Sequence, residues 1–124
     1  MKRIVIVAAI YGLFVAPALY AQDAAISIKH TEVSPGLYML EGMGGFVGGN
    51  MGLLTGDEGV ILIDDGLEPY SALVLGAVND LAGAPASFVI NTHVHGDHVG
   101  SNEALHMSGA TIVAHDNIRR RLVE

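Results

Sequence analysis

Three histidines and one aspartate stand within six consecutive positions of this chain, in the stretch NTHVHGDHVG that covers residues 91–100. They are His93, His95, Asp97 and His98. Imidazole nitrogens and carboxylate oxygens bind divalent metals such as zinc, and a catalytic zinc usually keeps three protein ligands and an open position for water. A lone histidine is ambiguous, but four such side chains at this spacing predict a metal site.

The spacing of the four side chains favours two metal ions. In an extended segment His93 and His95 point to the same side, and Gly96 allows Asp97 and His98 to turn toward a neighbouring point. Two ions about 3.5 to 4 Å apart can bridge one hydroxide and polarise a carbonyl or phosphoryl oxygen. The chain contains no cysteine, so the hypothesis is a site built from imidazole and carboxylate ligands alone.

The pattern around the motif predicts strands that alternate with helices. Residues 26–33 and 37–41 flank Ser34-Pro35-Gly36 and predict a β-hairpin. The run VILIDDG predicts a buried strand, residues 68–82 carry apolar side chains at helical spacing, and residues 87–91 predict a second buried strand. Sites in such sheets gather at the carboxyl ends of strands, which is where the histidine run lies.

Shorter signals fill in the remaining elements. Residues 42–52 hold six glycines and predict a loop that either moves as a flap or packs tightly beside the site. Ser101 is a candidate cap for a short helix through Met107, TIVA predicts a third strand, and Asp116 is a candidate cap for a helix that begins at Asn117.

The other histidines and the arginine run carry weaker signals. His30 and His106 have no partners in sequence and are predicted to be surface or helix-face residues. His115 follows the third strand and is interpreted as a supporting or structural residue near the site. Arg119 to Arg121 predict a solvated helix face near a helix C-terminus, where positive charge is favourable.

Residues 1–21 have the pattern of a secretory signal peptide. Lys2 and Arg3 precede an uncharged run from Ile4 to Val15, and small residues follow at positions suited to cleavage. An uncleaved membrane anchor is the alternative, because the uncharged span is barely long enough to cross a bilayer. Both interpretations imply export, so we expect a periplasmic or secreted protein with residues 22–124 as its folded part, without stable membrane insertion if the leader is cleaved.

Charge limits the class of partner. Removing Lys2 and Arg3 with the leader moves the formal net charge from -7 to -9. Sequence-independent binding to nucleic acid depends on basic residues that neutralise phosphates, so we expect no nucleic-acid partner and favour a small-molecule substrate. With 51% hydrophobic and 15% charged residues, the composition is that of a folded domain.

The motif and its surroundings resemble a known family. HVHGDH matches the H-x-H-x-D-H signature of the metallo-β-lactamase superfamily, and GGNMGLLTGDEGVILIDDG, VINTHVHGDHVGSN and IVAHDNIRRRL are similar to the N-terminal half of that family. The resemblance covers about residues 30–124. It implies an α/β (α+β) fold, namely the N-terminal half of an αββα sandwich, so that residues 22–124 form a partial domain.

The resemblance also assigns roles to the motif. His93 and His95 would bind the first metal, Asp97 and His98 the second, and Asp64 would support the site or stand as an ordinary turn aspartate. The implied function is that of an exported hydrolase with two zinc ions, iron being possible. A metal-bound hydroxide, oriented by the catalytic Asp97, would attack an ester, thioester, lactone or β-lactam carbonyl.

The chain also departs from the family pattern. Members add further metal ligands from downstream segments, and this sequence ends inside its last predicted helix, which predicts a truncated chain. We therefore expect the 124-residue chain alone to be poorly stable and to bind metal weakly. Two alternatives remain open: a truncated, non-catalytic fragment that binds a metal or a partner, and a parent protein similar to iron-dependent persulfide dioxygenases.

Overall fold

The computed structural model describes residues 25–123. The predicted leader, residues 1–21, lies outside the described residues. Six strands form one sheet in chain order. They are β1 (Ser27–Ser34), β2 (Leu37–Met43), β3 (Met51–Gly56), β4 (Gly59–Ile63), β5 (Phe88–Asn91) and β6 (Thr111–Ala114). Strands β1 to β4 pair antiparallel, whereas β4, β5 and β6 pair parallel, so the predicted mixed α/β class is confirmed.

The helices follow the strands closely. They are α1 (Ser71–Ala82), α2 (Gly96–Val99), α3 (Asn102–Met107) and α4 (Asp116–Val123). The segment predicted as one helix over residues 68–82 starts with a 3₁₀ turn, Glu68–Tyr70, which has a proline in its first positions. Helix α1 ends where Gly83 takes a left-handed conformation with φ of 68°. Across residues 25–123, no helix has the length and apolarity needed to span a bilayer.

The hydrophobic core lies between one face of the sheet and the helices α1 and α3. Four neighbouring strands each contribute a fully buried side chain to it, namely Leu40, Leu53, Leu62 and Val89. Val74 and Val78 of α1 and Leu105 of α3 cover these strands. Each such side chain stabilises the fold by about 1.5 to 3 kcal/mol through burial. The strand ends that carry the histidine run are therefore fixed by a packed core.

The opposite face of the sheet is apolar and accessible. The strand register aligns Leu54, Ile61 and Phe88 across β3, β4 and β5, and aligns Ile63, Ile90 and Val113 across β4, β5 and β6. Between 36% and 45% of the surface of Leu54, Phe88, Ile90 and Val113 is exposed. The sheet thus has one covered face and one open face within the described part of the chain.

The structure changes both predicted helix caps. Ser101 stands at the N-cap position of α3 as predicted, but its side chain makes no capping hydrogen bond. Its hydroxyl instead accepts a hydrogen bond from the Ser71 hydroxyl at 2.9 Å, because α1 packs against this end of α3. Helix α4 begins at Asp116 and not after it. The acceptor at its start is the Nδ1 atom of His115, to which the N–H of Asn117 donates at 3.1 Å.

Adjacent leucines in β3 provide a test of this architecture. Leu53 is fully buried against the helices, whereas Leu54 lies on the open face. We expect Leu53→Ala to lower the free energy of unfolding by about 2 to 5 kcal/mol, because it leaves a cavity in the core. Leu54→Ala, the matched control, should cost about 1 kcal/mol or less, since it removes a partly exposed side chain. Urea unfolding measures both, and equal losses would contradict the assignment of the two faces.

Candidate metal centre

The histidine run sits in the connection between β5 and α2. Residues 92–95 form a series of bends, and α2 begins at Gly96. The segment is therefore bent, not extended as the sequence reasoning assumed. The backbone turns sharply because His95 stands at the N-terminal boundary of α2 and its carbonyl accepts a hydrogen bond from the N–H of His98 at 2.9 Å. This turn brings His98 back toward the end of β5.

The bends place the four predicted side chains next to one another. The ring centroid of His93 lies 4.9 Å from that of His95 and 3.9 Å from that of His98. The carboxylate of Asp97 approaches the Nε2 atom of His98 to 3.3 Å. All four residues are thus neighbours at the carboxyl end of β5, where the sequence reasoning placed them. Their assignment as metal ligands stays a prediction.

Asp64 joins this cluster from the end of β4. Its carboxylate accepts hydrogen bonds from the Thr92 N–H at 2.8 Å, from the Thr92 hydroxyl at 2.7 Å and from Nδ1 of His98 at 2.8 Å. Asp64 is buried and has φ of 59°, a left-handed conformation that costs free energy in a residue other than glycine. The strained backbone is held because the carboxylate binds the histidine run at two residues.

Asp64, His93 and His98 each offer one ligand atom, and these three atoms lie within 4.8 Å of one another. Both oxygens of Asp64 already accept hydrogen bonds. The bond from Nδ1 of His98 leaves Nε2 of that ring available as a ligand atom, as expected when a carboxylate orients a metal-binding histidine. The geometry therefore suits Asp64 to orient His98, and the donor set of imidazoles and carboxylates fits a divalent metal.

The glycine-rich segment packs directly against the histidine run. A Cβ atom at Gly49 would lie 2.7 Å from Cε1 of His98, and one at Gly48 would lie 2.7 Å from the carbonyl oxygen of Asp97. Gly48 also has φ of 141°, which other residues rarely adopt. Of the two interpretations of this segment, the structure supports tight backbone packing beside the site.

A second buried carboxylate, Asp65, lies beneath the cluster. It is fully buried, and its Oδ1 atom accepts the N–H of Ser101 at 3.0 Å. Burial raises the pKa of Asp65 to about 6, although the Ser101 N–H and the nearby Asn91 amide favour the ionised form. Its Oδ2 atom and the Oδ1 atom of Asn91 are both buried without a hydrogen-bond partner in the described residues.

The remaining histidines play other roles. His30 is exposed on β1, and its ring contacts the edge of Tyr38. His106 is exposed on α3, with its Nδ1 atom 3.2 Å from the carbonyl oxygen of Ala110. Both agree with the prediction of surface or helix-face residues. His115 serves α4 structurally and also lines a cavity with His93.

The sequence pattern did not single out Thr92 or Asp65, and it assigned Ser101 only a capping role. Thr92 stands immediately before His93, so its proximity to the motif was a usable signal. Asp65 was visible as the second aspartate of VILIDDG, but its pairing with Ser101 joins residues 36 positions apart. No local pattern predicts that contact.

Comparison with known proteins agrees with this architecture. A family model described as "Metallo-beta-lactamase superfamily" matches residues 44–117, which is more than half of the chain. No curated protein matches the chain.

Solved structures match over most of this chain. A metallo-beta-lactamase from Hirschia baltica superposes with a TM-score of 0.67 and 23% identity over 78% of this chain and 47% of its own. The metallo-beta-lactamase FIM-1 from Pseudomonas aeruginosa in its mono-zinc form superposes with a TM-score of 0.65 and 24% identity over 76% of this chain and 44% of its own. A mutant metallo-beta-lactamase from Cronobacter sakazakii superposes with a TM-score of 0.55 and 29% identity over 68% of this chain and 33% of its own. The chain spans less than half the length of each of these structures.

The role of Asp64 leads to a test by metal affinity. We expect Asp64→Asn to weaken zinc binding about ten- to hundredfold. The uncharged amide is a weaker hydrogen-bond acceptor than the carboxylate and so orients the His98 ring less firmly. Competition with a chromogenic chelator measures this affinity. The matched control is Asp80→Asn, which makes the same change on the exposed surface of α1. Complete loss of saturable binding in the Asp64 variant would instead identify Asp64 as a direct ligand.

The raised pKa of Asp65 predicts an unusual pH dependence of stability. Its pKa in the folded protein, about 6, lies above the ordinary value of 3.8, so the folded state holds the proton more tightly. The resulting loss of stability is absent below about pH 4, grows as pH rises and is complete above about pH 7. We expect Asp65→Asn to be more stable than the wild type by about 2 kcal/mol at pH 7.5, and by much less at pH 4.

Urea unfolding of both proteins at the two pH values measures this difference. Asp57→Asn, in the exposed turn between β3 and β4, is the matched control and should follow the wild type. A constant difference between wild type and Asp65→Asn at both pH values would show that the carboxyl of Asp65 does not titrate in this range.

Proposed function

This chain belongs to the metallo-beta-lactamase superfamily, and from that premise we propose that it carries the metal-binding half of a zinc-dependent hydrolase. The observation that supports the proposal is the convergence of His93, His95, Asp97 and His98 at the carboxyl end of β5, with Asp64 beneath them. Imidazole and carboxylate donors in this proportion suit zinc. One of the similar structures is described as a mono-zinc form.

We assign the ligands by residue. His93 and His95 hold the first ion, and Asp97 and His98 hold the second. When bound, zinc supplies a Lewis acid that activates water near neutral pH and polarises a carbonyl oxygen. The substrate is a small molecule with an ester, thioester, lactone or β-lactam carbonyl.

The chain's own residues orient the reactants. The carboxylate of Asp97 accepts a hydrogen bond from the attacking water and directs its lone pair at the carbonyl carbon. Asp64 fixes the ring of His98 through Nδ1, so that Nε2 faces the centre. Because Gly48 and Gly49 have no side chains, the loop between β2 and β3 packs directly against Asp97 and His98. This packing limits the movement of Asp97 and His98.

The proposed location is the periplasm or the extracellular medium. The leader pattern of residues 1–21 supports this location. The chain also has an acidic balance, with 13 Asp and Glu against 6 Lys and Arg. The same balance argues against a nucleic-acid substrate.

A non-catalytic role is the second candidate. The open apolar face around Phe88 and Ile90 supports it, because exposed apolar patches of this kind are typical of binding surfaces. In that case the metal would serve stability or partner binding. A measurement of hydrolytic turnover distinguishes the hydrolase from the non-catalytic role.

Replacing Asp97 by Ala tests the proposed catalysis. In the full-length protein we expect kcat to fall by about 10²- to 10⁴-fold, because the water loses the group that orients it. Hydrolysis of a chromogenic ester or β-lactam, with metal content measured by elemental analysis on the same samples, gives the readout. Asp80→Ala is the control and should keep wild-type turnover. Unchanged turnover in the Asp97 variant would contradict its assigned role.

A further inference from the structure

A cavity of about 260 Å³ lies beside the candidate metal centre and has no part in the chemistry described so far. Thr92, His93 and Val94 of the histidine run line it together with four residues of the segment that follows β6 and forms α4. These four are His115, Asn117, Ile118 and Arg121. A ligand in this cavity would therefore touch a predicted metal ligand and an arginine at the same time.

Helix α4 presents its polar side chains to the cavity in a fixed arrangement. Asn117 and Arg121 are four positions apart, so they lie on the same face of the helix. Ile118 between them is buried and anchors the helix to the rest of the molecule. The start of the helix is held by His115, whose ring accepts the N–H of Asn117. The guanidinium of Arg121 thus belongs to a helix whose first turn is held in place by a hydrogen bond and a buried side chain.

The charge at this cavity differs from that of the chain as a whole. The formal net charge is -7, yet three of the six Lys and Arg residues are consecutive on α4. Among residues 25–123, Arg121 forms no ion pair with an acidic side chain. Its guanidinium is available to a ligand, and Arg119 and Arg120 add positive charge on the same helix, outside the cavity lining.

We propose that Arg121 and Asn117 form a subsite for the carboxylate of the substrate, so that the substrate class is a carboxylate-bearing ester, lactone or amide. The proposal rests on the hydrolase function proposed above. The planar guanidinium matches the two oxygens of a carboxylate. Val94 and Ile118 contact the apolar carbons between this carboxylate and the carbonyl that reacts near His93.

The test measures binding of benzoate to the metal-free, full-length protein by NMR at pH 8. Metal is omitted because zinc would itself bind the carboxylate. Benzamide is the neutral probe of the same shape. Arg121→Gln removes the proposed charge, and Arg119→Gln makes the same change on the same helix outside this cavity. Amide spectra of both variants establish that they are folded.

We expect benzoate to bind in preference to benzamide and its Kd to rise about tenfold in Arg121→Gln, with little change in Arg119→Gln. Arg121→Lys should recover part of the affinity, since it restores charge without the planar fork. Equal Kd values in the Arg121 and Arg119 variants would overturn the proposal, and so would tighter binding of inorganic phosphate than of benzoate. Zinc content and ester turnover, measured separately, report on the hydrolase function, so either proposal can fail alone.

Discussion

The carboxylate of Asp64 is the contact on which the candidate centre depends. It joins the end of β4 to the residue before His93 and to the ring of His98, through three hydrogen bonds of 2.7 to 2.8 Å. Because these bonds act on both ends of the histidine run, the bends between Thr92 and α2 have little freedom. The left-handed backbone of Asp64 is tolerated because its side chain is bound at this point.

The absence of side chains is as important here as their presence. Gly48, Gly49 and Gly100 each stand where a Cβ atom would come within 2.7 Å of a neighbouring atom in the loops around the centre. Loop backbone can therefore approach other backbone at Gly48 and Gly100 and the His98 ring at Gly49, so that three separate segments meet in a small volume. The carbonyl of Gly66 accepts the N–H of Gly100, and the carbonyl of Val47 accepts that of Leu67. The reactive side chains are held by a scaffold made mostly of main chain.

The sequence was most informative where the signal is local. Four ligand-type residues in six positions identified the candidate centre, and the turn at Ser34 to Gly36 with its flanking strands identified the first hairpin. Contacts between distant residues could not be predicted in this way. Ser101 meets Ser71 and Asp65 across 30 and 36 positions, and this tertiary environment replaced its expected role as a cap. The raised pKa of Asp65 could not be predicted from the sequence either, because it results from burial in the folded protein.

The change from antiparallel to parallel pairing at β4 has a consequence for how the molecule folds. Strands β1 to β4 connect through two tight turns and the glycine-rich loop, so their contacts close small loops, whereas β5 reaches β4 only after the chain has passed through α1. Closing larger loops costs more entropy and is slower. The bonds from Asp64 to Thr92 and His98 span 28 and 34 positions and belong to that later stage. The four-stranded meander can therefore form before the candidate centre exists, and metal would bind only to chains that have completed the crossover.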